Sequence, residues 1–150
     1  MRAALGLVAA LALTAPAFGA EANRCVVSVT PVHFGTYNPL LPGDIRTTGI
    51  VTYTCTQSRP ISISLTRGDS TYYDSRTLGH GLTALAYNLY LDAAGTSVWG
   101  DGSGGSQVYR DVAPPPDTNV SVPIYGRMPA RQRQAHVGLV DDTLLVTINY

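Results

Sequence analysis

The stretch LLVTINY, residues 144–150, alternates two kinds of side chain along its whole length. One set of alternate positions is apolar or aromatic: Leu144, Val146, Ile148 and Tyr150. Successive side chains of a β-strand point to opposite faces of a sheet, so this spacing places the apolar set on one face. The stretch therefore predicts a β-strand with one buried face.

The same period of two recurs upstream, and turn residues separate the repeats. The predicted strands are residues 25–30, 32–37, 49–55, 61–66, 87–92, 119–125 and 144–150. Composition agrees, because the chain has no lysine and a single glutamate, Glu21, and these two residue types usually supply the solvent faces of helices. The sequence thus predicts an all-β domain of about seven strands, the pattern of a β-sandwich.

The N-terminus predicts a signal peptide over residues 1–22. Arg2 supplies the positive charge, residues 3–13 form the apolar segment, and small residues lead up to cleavage after Gly19 or Ala22. Cleavage leaves one domain, residues 23–150, large enough for a modest core. No later stretch approaches the roughly 18 apolar residues that span a bilayer. We expect a secreted protein with no membrane insertion.

Cys25 and Cys55 are the two cysteines of the chain. Export through an oxidising compartment favours a disulfide between them, which would contribute roughly 3 to 4 kcal/mol on the chain-entropy model. Two free thiols remain the alternative at this point. Charge indicates no particular partner, because ten basic residues balance ten acidic ones. No basic face for nucleic acid is expected.

The run GDGSGG, residues 100–105, is similar to the segment around a serine-protease nucleophile, with Ser103 as the candidate. An extra glycine separates Asp101 from Ser103, and the chain is about half as long as such a double barrel. A calcium loop would need more carboxylates than this run contains. We interpret it as a hairpin loop and expect no catalytic residue. Without lysine, P-loop and Schiff-base chemistry are excluded as well.

Metal-binding patterns are weak. His33, His80 and His136 are isolated, and the two cysteines lack the short spacing of a zinc clamp. Asp141 and Asp142 are neighbours, but adjacent side chains of a strand point apart, so they are poorly placed to share a proton. The sequence predicts no metal site and no cofactor.

The tetrapeptide RGDS, residues 67–70, spells an integrin-type recognition motif. Short sequences reach such motifs by chance. Because glycine, aspartate and serine are turn formers, we interpret the tetrapeptide as an exposed turn.

Five segments in order carry a resemblance to a known family. They are residues 25–39 (beginning CVVS and containing HFGTYNP), 51–56 (VTYTCT), 87–102 (with YNLY and VWGDG), 122–129 (VPIYGRMP) and 142–150 (DTLLVTINY). Together they resemble the spore coat protein U domain, the subunit domain of archaic chaperone–usher pili. The resemblance covers nearly the whole mature chain.

The resemblance implies an immunoglobulin-like antiparallel β-sandwich that lacks its last strand. It further implies a secreted, non-enzymatic structural subunit of a bacterial surface fibre or coat, of the kind used in cell adhesion and biofilms. In this family a periplasmic chaperone lends the missing strand, an outer-membrane usher handles export, and a neighbouring pilin subunit supplies the final strand. A surface receptor is a further expected partner.

The resemblance also suggests where the missing strand would bind. We expect Leu144, Val146 and Ile148 to line the acceptor groove, with Tyr150 and its carboxylate as a chaperone anchor. The alternative for these residues is a satisfied core strand in a complete sandwich. Polymerising members carry a donor segment before the first cysteine, whereas cleavage here would leave only residues 20–24 or 23–24. We therefore expect a terminal, tip-type subunit or a coat protein that does not polymerise.

A second interpretation comes from a different class of protein. A stand-alone secreted module could bind carbohydrate or another surface by stacking it on exposed aromatic rings. The candidate rings are Trp99, Tyr72 and Tyr73.

Overall fold

The computed structural model describes residues 21–79, 81 and 84–150. Nearly all of the predicted signal peptide, and His80, lie outside these residues. The described residues form eight β-strands: β1 (Cys25–Thr30), β2 (Ile45–Cys55), β3 (Ile61–Leu65), β4 (Arg76–Leu78), β5 (Leu85–Tyr90), β6 (Tyr109–Asp111), β7 (Val120–Met128) and β8 (Val146–Asn149). No helix within the described residues is long and apolar enough to cross a membrane.

The strands form two antiparallel sheets. One has five strands in the order β1-β2-β7-β5-β4, and the other has three in the order β6-β3-β8. The sheets pack face to face as an immunoglobulin-like β-sandwich, which confirms the predicted fold class. The all-β prediction is also confirmed.

Alternation along the strands builds the core. Over residues 49–55 of β2 and 122–128 of β7 every second residue is buried between the sheets, and the residues between them face outward. The buried apolar residues of both sheets form one cluster: Val51, Tyr53, Cys55, Ile61, Ile63, Leu65, Leu85, Tyr87, Leu89, Trp99, Val122, Ile124 and Met128.

The predicted strand at residues 32–37 is wrong, since the structure forms none there. This segment instead crosses the inner face of the five-stranded sheet. A Cβ on Gly49 would lie 2.8 Å from Val32, and one on Gly126 would lie 2.7 Å from Val32 and 3.0 Å from Phe34. The two glycines thus leave the space that Val32 and Phe34 fill, and Phe34 contacts Tyr87 edge to face at 5.6 Å.

Two short strands, β4 and β6, were not predicted, because three residues are too few to show a period. β1 spans the predicted residues, and the boundaries of the other predicted strands differ from the observed ones by at most four residues. The predicted disulfide is confirmed: Cys25 and Cys55 are bonded and lie directly opposite each other in the β1–β2 register. It fixes the edge strand β1 to its neighbour near the N-terminal end of the domain.

Candidate functional site: the open side of the sandwich

One side of the sandwich is closed by the segment 97–100, which bonds to both sheets. The Trp99 backbone N–H donates to Leu89 O of β5 at 2.9 Å, and Gly100 O accepts the N–H of Leu65 of β3 at 3.2 Å. The indole Nε1 of Trp99 also donates to Ile63 O at 2.9 Å, and its side chain is completely buried. The two sheets are therefore connected by hydrogen bonds along this side.

A buried arginine reinforces the closed side. Arg76 has no solvent exposure, and its guanidinium donates to Trp99 O at 2.7 Å, Thr66 O at 3.0 Å and Asn88 Oδ1 at 2.7 Å. It also lies 5.2 Å from the centre of the Tyr73 ring. Desolvation lowers the pKa of Arg76, and the three acceptors and the aromatic ring compensate in part for its burial.

The opposite side of the sandwich, its open side, lies between β1 and β8. Each is the last strand of its sheet, so within the described residues no strand pairs with the outward edge of either. Inward side chains on these two strands are less buried than their cross-strand partners. Val51 of β2 is fully buried, whereas its partner Val29 of β1 is 42% exposed. Ile63 of β3 is fully buried, whereas its partner Ile148 of β8 is only half-buried.

The backbone groups on these two edges follow from the register. The Thr66 N–H donates to Leu145 O at 3.0 Å, which makes residues 66 and 145 a hydrogen-bonded pair. Such pairs alternate with non-hydrogen-bonded ones in antiparallel sheets. Val146 and Ile148 are thus non-hydrogen-bonded partners of β3, and their N–H and C=O groups point away from it.

Strand β1 shows the same alternation. The Thr56 N–H donates to Arg24 O at 2.9 Å, so residues 24 and 56 form a hydrogen-bonded pair. Val27 and Val29 are then non-hydrogen-bonded partners of β2 and present their backbone groups to the open side. The open side therefore has two rows of backbone donors and acceptors above a half-buried apolar floor.

The predicted groove residues divide into two groups. Leu144, Val146 and Ile148 face inward and pack half-buried against the core. Tyr150 lies beyond the end of β8 and is 57% exposed. The second wall of the site, the inward face of β1, was not predicted, although the alternation in CVVSVT, residues 25–30, is a signal that could have identified it.

Asp142 fixes the approach to β8. Its carboxylate accepts hydrogen bonds from the Tyr87 hydroxyl at 2.6 Å and from the Asp69 backbone N–H at 3.2 Å. Burial and this carboxylate raise the pKa of the Tyr87 hydroxyl, which keeps it protonated as a donor. Asp141 is exposed, and the two acids do not form a paired site.

The RGDS turn is tied to its own domain. Asp69 is bound through its backbone to Asp142, and the guanidinium of Arg67 donates to Thr71 O and lies 5.7 Å from the Tyr73 ring centre. A Cβ on Gly68 would overlap the Asp142 carboxylate. These contacts favour a structural turn over an integrin motif presented to a receptor.

The glycine run forms an ordered loop. Ser103 Oγ donates to Asp101 Oδ1 at 2.6 Å, so its partner is a carboxylate and not a histidine. The Ser103 hydroxyl and backbone N–H lower the pKa of Asp101, which makes that carboxylate a weak base. The arrangement does not provide an activated nucleophile.

Other candidate sites receive little support. Within residues 21–79, 81 and 84–150 no three metal-ligating side chains cluster. The proposed stacking platforms are wrong for Trp99 and Tyr73, because both are buried; Tyr72 alone of the three is exposed, by 66%. Tyrosine and tryptophan are amphipathic, and their sequence alone did not distinguish a buried ring from an exposed one.

Comparison with known proteins gives one family match and a fold match. The family model of the Spore Coat Protein U domain matches residues 11–147. A solved structure, the CsuC–CsuE chaperone–tip adhesion subunit pre-assembly complex from archaic chaperone–usher Csu pili of Acinetobacter baumannii, contains a chain that is 18% identical. The TM-score is 0.60, and the match covers 85% of this chain and 40% of that one. At this identity the likeness concerns the fold. No curated protein matches the chain.

Proposed function

This chain belongs to the Spore Coat Protein U domain family, and from that premise we propose that it is a non-enzymatic subunit of a bacterial chaperone–usher surface fibre that accepts a strand from a partner. The observation that carries the proposal is the unequal burial of cross-strand partners beside the open side, Val51 against Val29 and Ile63 against Ile148. An inserted strand would cover the half-buried members of both pairs.

The physical requirement for a partner comes from the two free edges. An unpaired strand edge beside exposed apolar side chains promotes aggregation unless another chain covers it. Strand addition to such an edge uses backbone hydrogen bonds for affinity and alternate side-chain pockets for specificity, and pilins complemented by a donor strand are a known case. The open side offers both features through Val27, Val29, Val146 and Ile148.

The partners follow from the same site. A periplasmic chaperone is the first occupant, an outer-membrane usher exports the complex, and a neighbouring pilin subunit supplies the permanent strand. The similar solved structure is named as a chaperone–tip subunit complex, which supports the choice of first occupant. Residues 1–22 act as the signal peptide that directs residues 23–150 through the periplasm to the cell surface.

We extend the proposal to a terminal position in the fibre. The backbone of Arg24 pairs with Thr56, and Asn23 Oδ1 accepts the Gln57 N–H at 3.1 Å. These contacts hold the residues before β1 against their own domain. A donor segment must leave its own domain to reach the next one, so the pairing of Asn23 and Arg24 supports a terminal subunit that accepts a strand and donates none.

The acceptor role is tested with matched charge substitutions on adjacent positions of β8. Val146→Asp places a carboxylate on the inward face, whereas Thr147→Asp places it on the exposed face of the same strand. Each full-length exported chain is mixed with a peptide copied from the N-terminal segment of a partner pilin, and soluble complex is measured by size-exclusion chromatography. An unpaired buried charge costs several kcal/mol, so Val146→Asp abolishes the complex and Thr147→Asp retains it.

Equal effects of the two substitutions would contradict the acceptor role, as would a wild-type chain that is monomeric, cooperatively stable and indifferent to the peptide. The terminal position has a separate test by electron microscopy of the wild-type chain. If it assembles into homopolymeric fibres unaided, the terminal position is wrong and the acceptor role stands.

A further inference from the structure

A cleft lies on the outer face of the five-stranded sheet, on the opposite surface of that sheet from the core. Its cavity has a volume of about 410 Å³. A smaller cavity of about 220 Å³ shares Tyr90 and Arg127 with it, so the two cavities are neighbours. Volumes of roughly 300 to 1,000 Å³ are typical of small-molecule sites.

The floor of the cleft is set by strand register. Thr48, Tyr125 and Tyr90 are direct partners across β2, β7 and β5, and they form one row of outward side chains. Arg46 and Arg127 are partners in the neighbouring row. All five residues lie on the outward set of their strands, since the inward residues that alternate with them are buried or partly buried.

The walls are fixed by turns. Asp92 accepts backbone N–H groups from Thr96 at 3.1 Å and from Ser97 at 2.6 Å, and these bonds hold the turn that borders the cleft. A hypothetical Cβ on Gly95 would lie 3.7 Å from the Tyr90 ring, so the turn packs directly beside that ring. Arg127, which lines the cleft, forms a 2.6 Å ion pair with Asp44.

The tyrosines of the cleft differ from the tyrosines of the core. The hydroxyls of Tyr53 and Tyr87 donate to Asp111 and Asp142, each at 2.6 Å. In contrast, the hydroxyls of Tyr90 and Tyr125 have no hydrogen-bond partner within the described residues. Two half-exposed rings with free hydroxyls, next to one another in the register, combine an apolar surface with polar ends.

The two arginines of the cleft differ in their partners. Arg127 is engaged by Asp44, whereas Arg46 makes one long contact, 3.4 Å to Ala93 O, and no salt bridge within the described residues. Like charges directly opposite across strands are destabilising, so the Arg46–Arg127 pair is an unusual choice for a surface that only needs to be solvated. Asp92 lines the larger cavity and Asp44 pairs with Arg127, so these two carboxylates balance the two guanidinium groups there, and Asp74 adds a negative charge at the smaller cavity.

From this arrangement we infer that the cleft binds a neutral oligosaccharide. The rings of Tyr90 and Tyr125 contact the apolar faces of sugar rings, and the Arg46 guanidinium and the Thr48 hydroxyl bind sugar hydroxyls. A ligand with both C–H faces and hydroxyls suits aromatic rings flanked by hydrogen-bonding groups, and the balanced charge disfavours an acidic ligand. The inference is independent of strand acceptance, because the cleft and the open side lie on different surfaces.

The test uses the full-length exported chain with any strand partner that co-purifies. Neutral tetrasaccharides of glucose, galactose, mannose and N-acetylglucosamine are titrated by isothermal calorimetry, with tetragalacturonate as the acidic probe. At least one neutral probe binds, and Tyr125→Ala or Arg46→Gln weakens its binding by at least about tenfold, as expected for loss of a hydrogen bond to a charged group or of a stacking ring.

Matched controls lie outside the cleft. Tyr72→Ala removes an exposed tyrosine and Arg110→Gln an exposed arginine of β6, and both retain wild-type affinity. Tyr125→Phe keeps the ring and removes only the hydroxyl, and its circular dichroism spectrum stays that of the wild type. Any weaker binding by this variant therefore reports the lost hydroxyl and not a loss of folding. No binding of any neutral probe at millimolar concentration, stronger binding of the acidic probe, or equal effects of cleft and control substitutions would each overturn the inference.

Discussion

The two sides of the sandwich differ in whether the chain itself covers the edges of the sheets. On the closed side Trp99 is completely buried and bonds to both sheets, and Arg76 binds its carbonyl oxygen. On the open side β1 and β8 end their sheets, and Val29 is 42% exposed although its cross-strand partner Val51 is fully buried. The difference shows that this fold encloses its core from one side by its own chain and leaves apolar side chains partly exposed on the other side, where we propose that a partner strand binds.

The largest expected effect comes from breaking the closed side. Trp99→Ala removes a buried indole and its hydrogen bond to Ile63 O, and we expect a loss of roughly 3 to 5 kcal/mol in the free energy of unfolding. Urea unfolding followed by near-ultraviolet circular dichroism measures it. Tyr72→Ala, at an exposed position, serves as the control and stays within about 0.5 kcal/mol of the wild type. A similar small effect for both variants would show that the closed side does not hold the sheets together.

A sharper comparison uses one cross-strand pair, Ile63 and Ile148. Ile63 is fully buried, so Ile63→Ala destabilises the unpartnered chain by roughly 3 kcal/mol, whereas half-buried Ile148→Ala does so by about 1 kcal/mol. Adding the donor peptide buries Ile148 and raises the effect of its substitution toward that of Ile63. Urea unfolding with and without peptide gives both values. Identical effects in the unpartnered chain would mean that β8 is already covered.

Acid pH gives the smallest expected effect. It lowers the stability of the domain but leaves the affinity of the open side for the donor peptide unchanged. Hydrogen bonds from the Ala130 backbone N–H and the Arg127 side chain lower the pKa of Asp44. A carboxyl group with a lowered folded-state pKa stabilises the fold above its unfolded value of about 4, and the contribution disappears as the pH falls through the folded-state pKa.

Asp44→Asn should therefore reduce stability at neutral pH and flatten its decline below about pH 4. The inward side chains of the open side, Val27, Val146 and Ile148, do not titrate, so we expect the affinity for the donor peptide to stay constant over the same range while the domain remains folded. Urea midpoints and peptide titrations at matched pH values measure the two quantities. An unchanged acid dependence in Asp44→Asn would show that the Arg127–Asp44 pair contributes nothing.

Periodicity predicted most of the fold, and the failures have specific causes. The alternation at residues 61–65 and 144–150 identified β3 and β8 because in each strand one set of alternate side chains is more deeply buried than the other. The same rule failed at residues 32–37, where Gly49 and Gly126 allow Val32 and Phe34 to cross over the sheet. No local pattern reveals that crossing, since the glycines lie in other strands.

The candidate site was half predictable for a related reason. Leu144, Val146 and Ile148 could be assigned from their own strand, but the matching row on β1 depends on which strands end the two sheets. The outer-face cleft could not be predicted at all. Thr48, Tyr125 and Tyr90 come from three strands that are distant in sequence, and only the register makes them neighbours.

Amide hydrogen exchange of β8, followed by NMR with and without the donor peptide, tests the central claim most directly. Thr147 and Asn149 bond to β3, so their amides are protected in both states. The amides of Val146 and Ile148 point to the open edge; they exchange rapidly in the unpartnered chain and become as slow as those of Thr147 and Asn149 when the peptide binds. Protection of Val146 and Ile148 in the unpartnered chain, or no change on adding peptide, would contradict an open acceptor edge.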